Sequence, residues 1–107
     1  MSGNFSQTSN RITLVDGHIL SAHCRKANGE WNESKIDLND FIGNEDGSFE
    51  WNGVNFSQTA RDTSLLLGDE AKIVADLQSR DQHLKKSTLN LDERITNVDG
   101  RLVFGEF

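Results

Sequence analysis

The sequence predicts an all-β fold, and three observations lead there. The five letters Asn4-Phe5-Ser6-Gln7-Thr8 return as Asn55-Phe56-Ser57-Gln58-Thr59, and Asn44-Glu45-Asp46-Gly47 is answered by Asn97-Val98-Asp99-Gly100, so the chain is a tandem duplication. Apolar and polar residues alternate in short runs, the period of half-buried strands. Proline is absent from all 107 residues, so turns must come from Asn-Gly and Asp-Gly pairs. The chain reads as a single domain, 1–107, with repeat one at 1–51 and repeat two at 52–107.

In repeat one, Arg11 to Val15 lead into a turn at Asp16-Gly17. Ile19 to Ala27 read as a strand, with Leu20, Ala22 and Cys24 on one face and Ser21, His23 and Arg25 on the other. Asn28-Gly29 predicts a type I′ hairpin turn, because both residues tolerate positive φ. Trp31 to Leu38 form the return strand, with Ile36 and Leu38 inward. Trp31 has the wrong parity for that face, which predicts a bulge or a strand end between. Leu38 to Gly43 predict one helical turn closed by glycine. Asn44 to Gly47 make a turn, Ser48 to Trp51 a short strand, and Asn52-Gly53 the joint between copies.

Repeat two follows the same order. Leu65, Leu66 and Leu67 take the places of Leu14, Val15 and Asp16, and Gly68 matches Gly17. Two residues inserted within Asp69 to Lys72 explain why the offset between copies grows from 51 to 53. Ile73, Ala75 and Leu77 then match Leu20, Ala22 and Cys24, which makes strand the better reading of a stretch whose propensity also suits helix. Positions apolar in both copies but different in shape, Trp31/Leu84, Phe49/Leu102 and Cys24/Leu77, behave like core, where volume matters more than identity. Both tryptophans are therefore expected inside.

Composition excludes several functions. A formal net charge of −6 and a pI near 4.9 argue against nucleic acid as a partner and against electrostatic attraction to anionic lipid. No apolar run is long enough to insert into a bilayer. Met1-Ser2-Gly3-Asn4 lacks the basic and apolar regions of a signal peptide, so a cytoplasmic location is expected, with non-classical secretion left open. The one cysteine, Cys24, has no disulfide partner in the chain and reads as a small buried hydrophobe. His18, His23, Cys24 and His83 do not form a closed four-ligand set, so no metal and no cofactor are expected. No acid pair or nucleophile sits in a recognisable catalytic context, so the chain is read as a non-enzyme. Asn, Gln, Asp and Thr side chains on the doubled elements instead suit a neutral polyhydroxylated ligand, since amides donate and accept, carboxylates accept and hydroxyls do either.

These residues also carry a resemblance. Phe5-Ser6-Gln7-Thr8, the Arg25 to Asn32 hairpin, Ile36-Asp37-Leu38-Asn39 and Asn44 to Trp51 resemble a cyanovirin-N homologue. So do Asn55 to Thr59, Leu89-Asn90-Leu91-Asp92 and Ile95 to Gly100, in order and over nearly the whole chain; the Val98 to Phe104 ending is most similar to fungal members. The resemblance implies an all-β cyanovirin-N-like fold in which the repeats exchange strands. Two pseudo-symmetric halves would result, approximately 1–40 with 94–107, and 41–93, each a three-stranded sheet plus a β-hairpin with short helical turns. It further implies a lectin whose partners are mannose-rich oligosaccharides or glycoproteins, recognised through terminal Manα1-2Man units. An interaction domain that keeps the scaffold and loses the sugar is the alternative.

By position, the resemblance implies a first site of Asn4, Gln7, Thr8, Arg25, Ala27, Asn97, Val98 and Asp99. The second would use Gly43, Asn44, Asp46, Asn52, Val54, Asn55, Gln58, Thr59, Gln78, Ser79, Arg80 and Gln82. Arg25 and Ala27 depart from the glutamate and threonine of the type member. Gly43, Val54, Gln58 and Gln78 depart from a glutamate, a serine, a glutamate and a lysine. These losses predict that one site is weak or dead, and the second, with more polar groups, is expected to be the stronger. The two disulfides of the type member are missing: Ser9 and Cys24 occupy one pair of positions, Ala60 and Leu77 the other. A monomer is expected, and Gly53, in place of a hinge proline, leaves a domain-swapped dimer open.

Overall fold

The computed structural model describes residues 4–105, so Met1 to Gly3, on which the signal-peptide reading rests, lie outside the described residues. Among the described residues there are ten strands and four 3-10 turns, and no α-helix. Strands β1 (Ser9–Val15), β2 (Ile19–Arg25) and β3 (Trp31–Asp37) form an antiparallel sheet in that order. The hairpin β4 (Ile42–Glu45) and β5 (Ser48–Trp51) follows. Repeat two gives a second three-stranded sheet, β6 (Ala60–Leu67), β7 (Ala71–Gln78) and β8 (Leu84–Asn90), and a second hairpin, β9 (Ile95–Val98) and β10 (Arg101–Phe104). The 3-10 turns are η1 (Phe5–Thr8), η2 (Leu38–Asp40), η3 (Phe56–Thr59) and η4 (Leu91–Glu93).

Each hairpin packs on the sheet of the other repeat. Strand β10 lies against β3, where Leu102 N donates to Ser34 Oγ at 3.0 Å and Asn32 Nδ2 to Gly100 O at 2.8 Å. Strand β5 lies against β8, with Phe49 N donating to Ser87 Oγ at 3.2 Å. Between them Phe104 stacks on Phe41, with ring centroids 4.4 Å apart, and on Trp51, at 5.7 Å. Offset stacks of this kind contribute beyond the area they bury.

Alternation sets the core as the sequence predicts. Leu20, Ala22 and Cys24 of β2 and Ile73, Ala75 and Leu77 of β7 are buried, as are Phe5 and Phe56 of the 3-10 turns. Burial pushes the Cys24 thiol up from its ordinary pKa, and the neighbouring Ser9 hydroxyl opposes that only partly.

Five local expectations are corrected. First, β3 runs without a bulge, so parity prevails. Trp31 faces out at 49% exposed and its counterpart Leu84 at 50%, and neither belongs to the core. Second, the bulges lie in the first strand of each sheet. Arg11 (φ 50) and Asp62 (φ 55) take left-handed conformations where the register slips. That extra residue lets Ser9 and Leu14, of opposite parity, both sit across from core residues of β2. Third, Gly43 does not cap a helical turn. The turn ends at Asp40, and Gly43 belongs to β4, opposite Glu50. Fourth, neither Ala27 nor Asn28 has positive φ. Gly29 N donates to Lys26 O, and only Gly29 (φ 89) is left-handed, so the loop is a three-residue turn with a glycine bulge. Both central residues have positive φ, as a type I′ turn requires, at Asp16-Gly17, Asp46-Gly47 and Asp99-Gly100.

Fifth, the insertion is one residue on each side of a hairpin rather than two on one side. Leu66 pairs with Lys72 as Val15 pairs with Ile19, and Leu67–Ala71 is an added rung. Gly68 therefore opens its turn, whereas Gly17 sits in the middle of its own.

Candidate functional site

Two clefts form where a hairpin tip of one repeat meets the sheet of the other. In the first, Asn97 at the end of β9 donates through Nδ2 to Arg25 O at 2.9 Å, Thr8 Oγ1 at 3.0 Å and Thr8 O at 3.3 Å. Its Oδ1 accepts from Gly100 N at 2.8 Å and so closes the type I′ turn. Asp99 Oδ1 accepts from Ala27 N at 2.8 Å. Thr8, Arg25, Lys26, Ala27, Asn97 and Asp99 enclose an open cleft of about 320 Å³.

The second cleft repeats this arrangement. Asn44 Nδ2 donates to Thr59 Oγ1 and to Gln78 O, both at 2.8 Å, and Asn44 Oδ1 accepts from Gly47 N at 2.8 Å. Asp46 Oδ1 accepts from Arg80 N at 2.9 Å. Asn44, Glu45, Asp46, Thr59, Gln78, Ser79 and Arg80 enclose about 220 Å³. Here the Arg80 guanidinium also pairs with the Glu45 carboxylate.

The 3-10 turns that present Thr8 and Thr59 are fixed by buried polar clasps. A left-handed asparagine, Asn4 (φ 63) or Asn55 (φ 60), turns the chain into each. Ser57 N donates to Asn39 Oδ1 at 3.1 Å, and Asn39 Nδ2 to Ser57 Oγ at 2.7 Å. In the other half Asp92 stands in place of Asn39. It is 3% exposed and accepts from Ser6 N at 2.9 Å, Ser6 Oγ at 2.5 Å and Ala71 N at 2.9 Å.

Not every site residue expected from the sequence lines a cleft. Thr8, Arg25, Ala27, Asn97 and Asp99 come together in the first, and Asn44, Asp46, Thr59, Gln78, Ser79 and Arg80 in the second. Asn4 is exposed beside η1, and Val98 is 52% exposed at the end of β9, neither in the lining. Gln7 points away from the first cleft to Asp69 O, at 3.1 Å; the added rung lengthens the β6–β7 hairpin that carries Asp69. Gly43 is buried where its backbone crosses Gly53; a Cβ on Gly43 would come 3.0 Å from Gly53 Cα. Asn52, Val54, Asn55 and Gln58 are exposed along the following segment and η3, outside the lining. Ser79 lines the cleft, yet its hydroxyl bonds Asp81 and His83 O within its own turn. Gln82 holds the hairpin tip at φ 67, where the first copy has Gly29.

Glu45 and Lys26 line the clefts although the sequence reading did not select them. The internal repeat held the signal: Glu45 matches Val98, and Lys26 matches Ser79, both of which had been chosen. Among the described residues no three His, Cys, Asp or Glu side chains converge as a metal site.

The CVNH-domain family model matches residues 5–103. A cyanovirin-N homolog of Neurospora crassa is 33% identical over 105 residues, covering 94% of this chain and 95% of that protein. The solved structure of Gibberella zeae CVNH superposes with a TM-score of 0.90 at 44% identity, over 95% of this chain and 97% of that one. The structure of a microvirin–mannobiose complex does so with a TM-score of 0.84 at 36% identity, over 98% of this chain and 100% of the other. With the fold matched from end to end and the family model spanning both repeats, the chain belongs to the CVNH family.

Proposed function

We propose that this protein is a non-enzymatic lectin that recognises high-mannose glycans through terminal Manα1-2Man units. The observation that carries the reading is the duplicated cleft, in which two repeats converge on one polar arrangement with nearly equal distances. A sugar hydroxyl needs fixed donors and acceptors at short range, and a rigid hairpin tip supplies them without reorganisation. Asp99 Oδ2 and Asp46 Oδ2 have no partner among the described residues and are the acceptors such a ligand would use. The 36% identity to microvirin, solved with mannobiose, supports the same ligand class.

In this reading the binding units are the halves approximately 1–40 with 94–107, and 41–93. Partners are mannose-rich oligosaccharides or the glycoproteins that carry them. Two working clefts on one chain would bridge a branched glycan and raise avidity through effective concentration.

Titration of the 15N-labelled protein with Manα1-2Man, followed by amide shifts, tests this. Shifts are expected at Thr8, Ala27 and Gly100, and at Thr59, Arg80 and Gly47, with the sugar recovered intact. A parallel titration with an N-acetylglucosamine tetramer checks the ligand class. Absence of shifts at millimolar dimannoside would end the lectin reading, and stronger shifts with the tetramer would end the mannose assignment.

A further inference from the structure

The two clefts differ at a coupled pair of positions. Where the second has Glu45 and Arg80, the first has Val98 and Ala27. Both members change together, from an ion pair to two small or apolar side chains. Arg80 is attached twice to the β4–β5 hairpin: its backbone N–H to Asp46, and its guanidinium to Glu45. Ala27 can make only the first of these bonds. The ion pair therefore links the two elements that bound the second cleft, whose volume is about 220 Å³ against about 320 Å³ in the first.

We propose that the Glu45–Arg80 pair is a strap across the second cleft, which a ligand must open, while the first cleft stands open. The inference rests on the lectin reading and adds to it a specificity element and a difference between the sites. Arg80, one of the polar groups that favour the second site in the sequence, is engaged with Glu45. A neutral sugar gains little from either charge while they remain paired, and entry separates them. The pair is exposed, with side chains 73% and 54% accessible, so its strength is modest and depends on salt. A ligand in the second cleft should thus bind more tightly as salt rises, opposite to the usual behaviour of a charge-assisted site.

The test is the Manα1-2Man titration at about 20 mM and about 500 mM sodium chloride, on the wild type and on Glu45→Val, the residue that the first copy carries at this place. Dissociation constants are read separately from Gly47 and Thr59, and from Gly100 and Thr8. Glu45→Val is expected to tighten the second site about two- to five-fold and to remove its salt dependence, the range set by an exposed pair. The first site should be the same in both proteins and at both salts. The reciprocal variant, Val98→Glu with Ala27→Arg, should weaken the first site and make it salt-dependent. If the first site binds while Glu45→Val leaves the second unchanged or weaker, the strap is wrong and the lectin reading stands. If neither cleft responds in any variant, the lectin reading fails and the strap with it.

Discussion

Replacing Asp92 by asparagine isolates one polar clasp and the reason for its chemistry. Three donors converge on this carboxylate: Ser6 N on Oδ1, and Ser6 Oγ and Ala71 N on Oδ2. An asparagine offers one oxygen and one NH2. Placed in either orientation, the NH2 faces a backbone N–H, of Ser6 or of Ala71, and one buried donor loses its acceptor. That costs about 1–3 kcal/mol, the penalty of an unsatisfied buried group. For a chain of this size the melting midpoint should fall by about 4 °C per kcal/mol. The counterpart Asn39 meets only Ser57, accepting from its N and donating to its Oγ. Its side chain receives no third donor, because His18, which stands in the place of Ala71, gives its N–H to Val15 O within the turn. Asn39→Asp should therefore cost much less, since the serine hydroxyl can turn to donate. Urea unfolding of both variants at pH 7 is the assay. A loss below about 0.5 kcal/mol in Asp92→Asn, or an equal loss in the two variants, refutes the argument from donor count.

Other perturbations follow from the same structure. Ser9 faces Cys24 across β1 and β2, so Ser9→Cys should form a disulfide that closes a loop of about 15 residues and adds about 3 kcal/mol in urea without reductant, the gain vanishing when reductant is added. Gln82→Gly should stabilise by about 0.5–1 kcal/mol, because φ 67 strains a residue with a Cβ and suits glycine, as at Gly29; an unchanged urea midpoint would contradict this. At Asp37 burial acts to raise the carboxyl pKa, but the hydrogen bonds from His18 and Asn39 N and the charge of His18 outweigh it and hold the group below its ordinary value. A depressed carboxylate adds stability that is present above its unfolded pKa and is lost as pH falls through the folded one. Asp37→Asn should therefore flatten the acid side of the stability profile below about pH 4, while a slope identical to wild type would exclude the group.

Much of the architecture was legible because the chain states it twice. Alternation in β2 and β7 gave the core face, and repeated asparagine and aspartate marked the hairpin tips that build the clefts. What escaped depended on single residues taking conformations that composition does not announce. Arg11 and Asp62 carry left-handed bulges; aspartate tolerates that conformation but arginine does not favour it, so the two copies together did not mark the parity switch. Trp31 and Leu84 read as core because the position is apolar in both copies, but the alternation of an unbroken strand turns both outward. The added rung was visible as an offset of two, but only pairing shows that it divides between Leu67 and Ala71. Gln7 shows the same limit, since its identity matches Gln58 while its partner, Asp69 O, lies on the lengthened hairpin.

Comparison of the clefts separates residues that build from residues that discriminate. Asn97 and Asn44, Thr8 and Thr59, and Asp99 and Asp46 are identical in the two copies, and every one of them bonds protein across the joint between repeats. Their identity follows from that joint: an asparagine must accept within its own turn and donate to the other repeat, which no other short side chain does at both ends. Ala27 and Arg80, Lys26 and Ser79, and Arg25 and Gln78 differ and surround the opening that the joint creates, and Glu45 joins them in the second cleft where its counterpart Val98 stays outside the first. A substitution at a joint residue should remove binding by loosening the hairpin, and unfolding measurements would register it. One at the rim should alter affinity at a single cleft with stability unchanged. If the clefts bind sugar as proposed, the preference of each for its ligand would be carried by the side chains that the duplication did not keep.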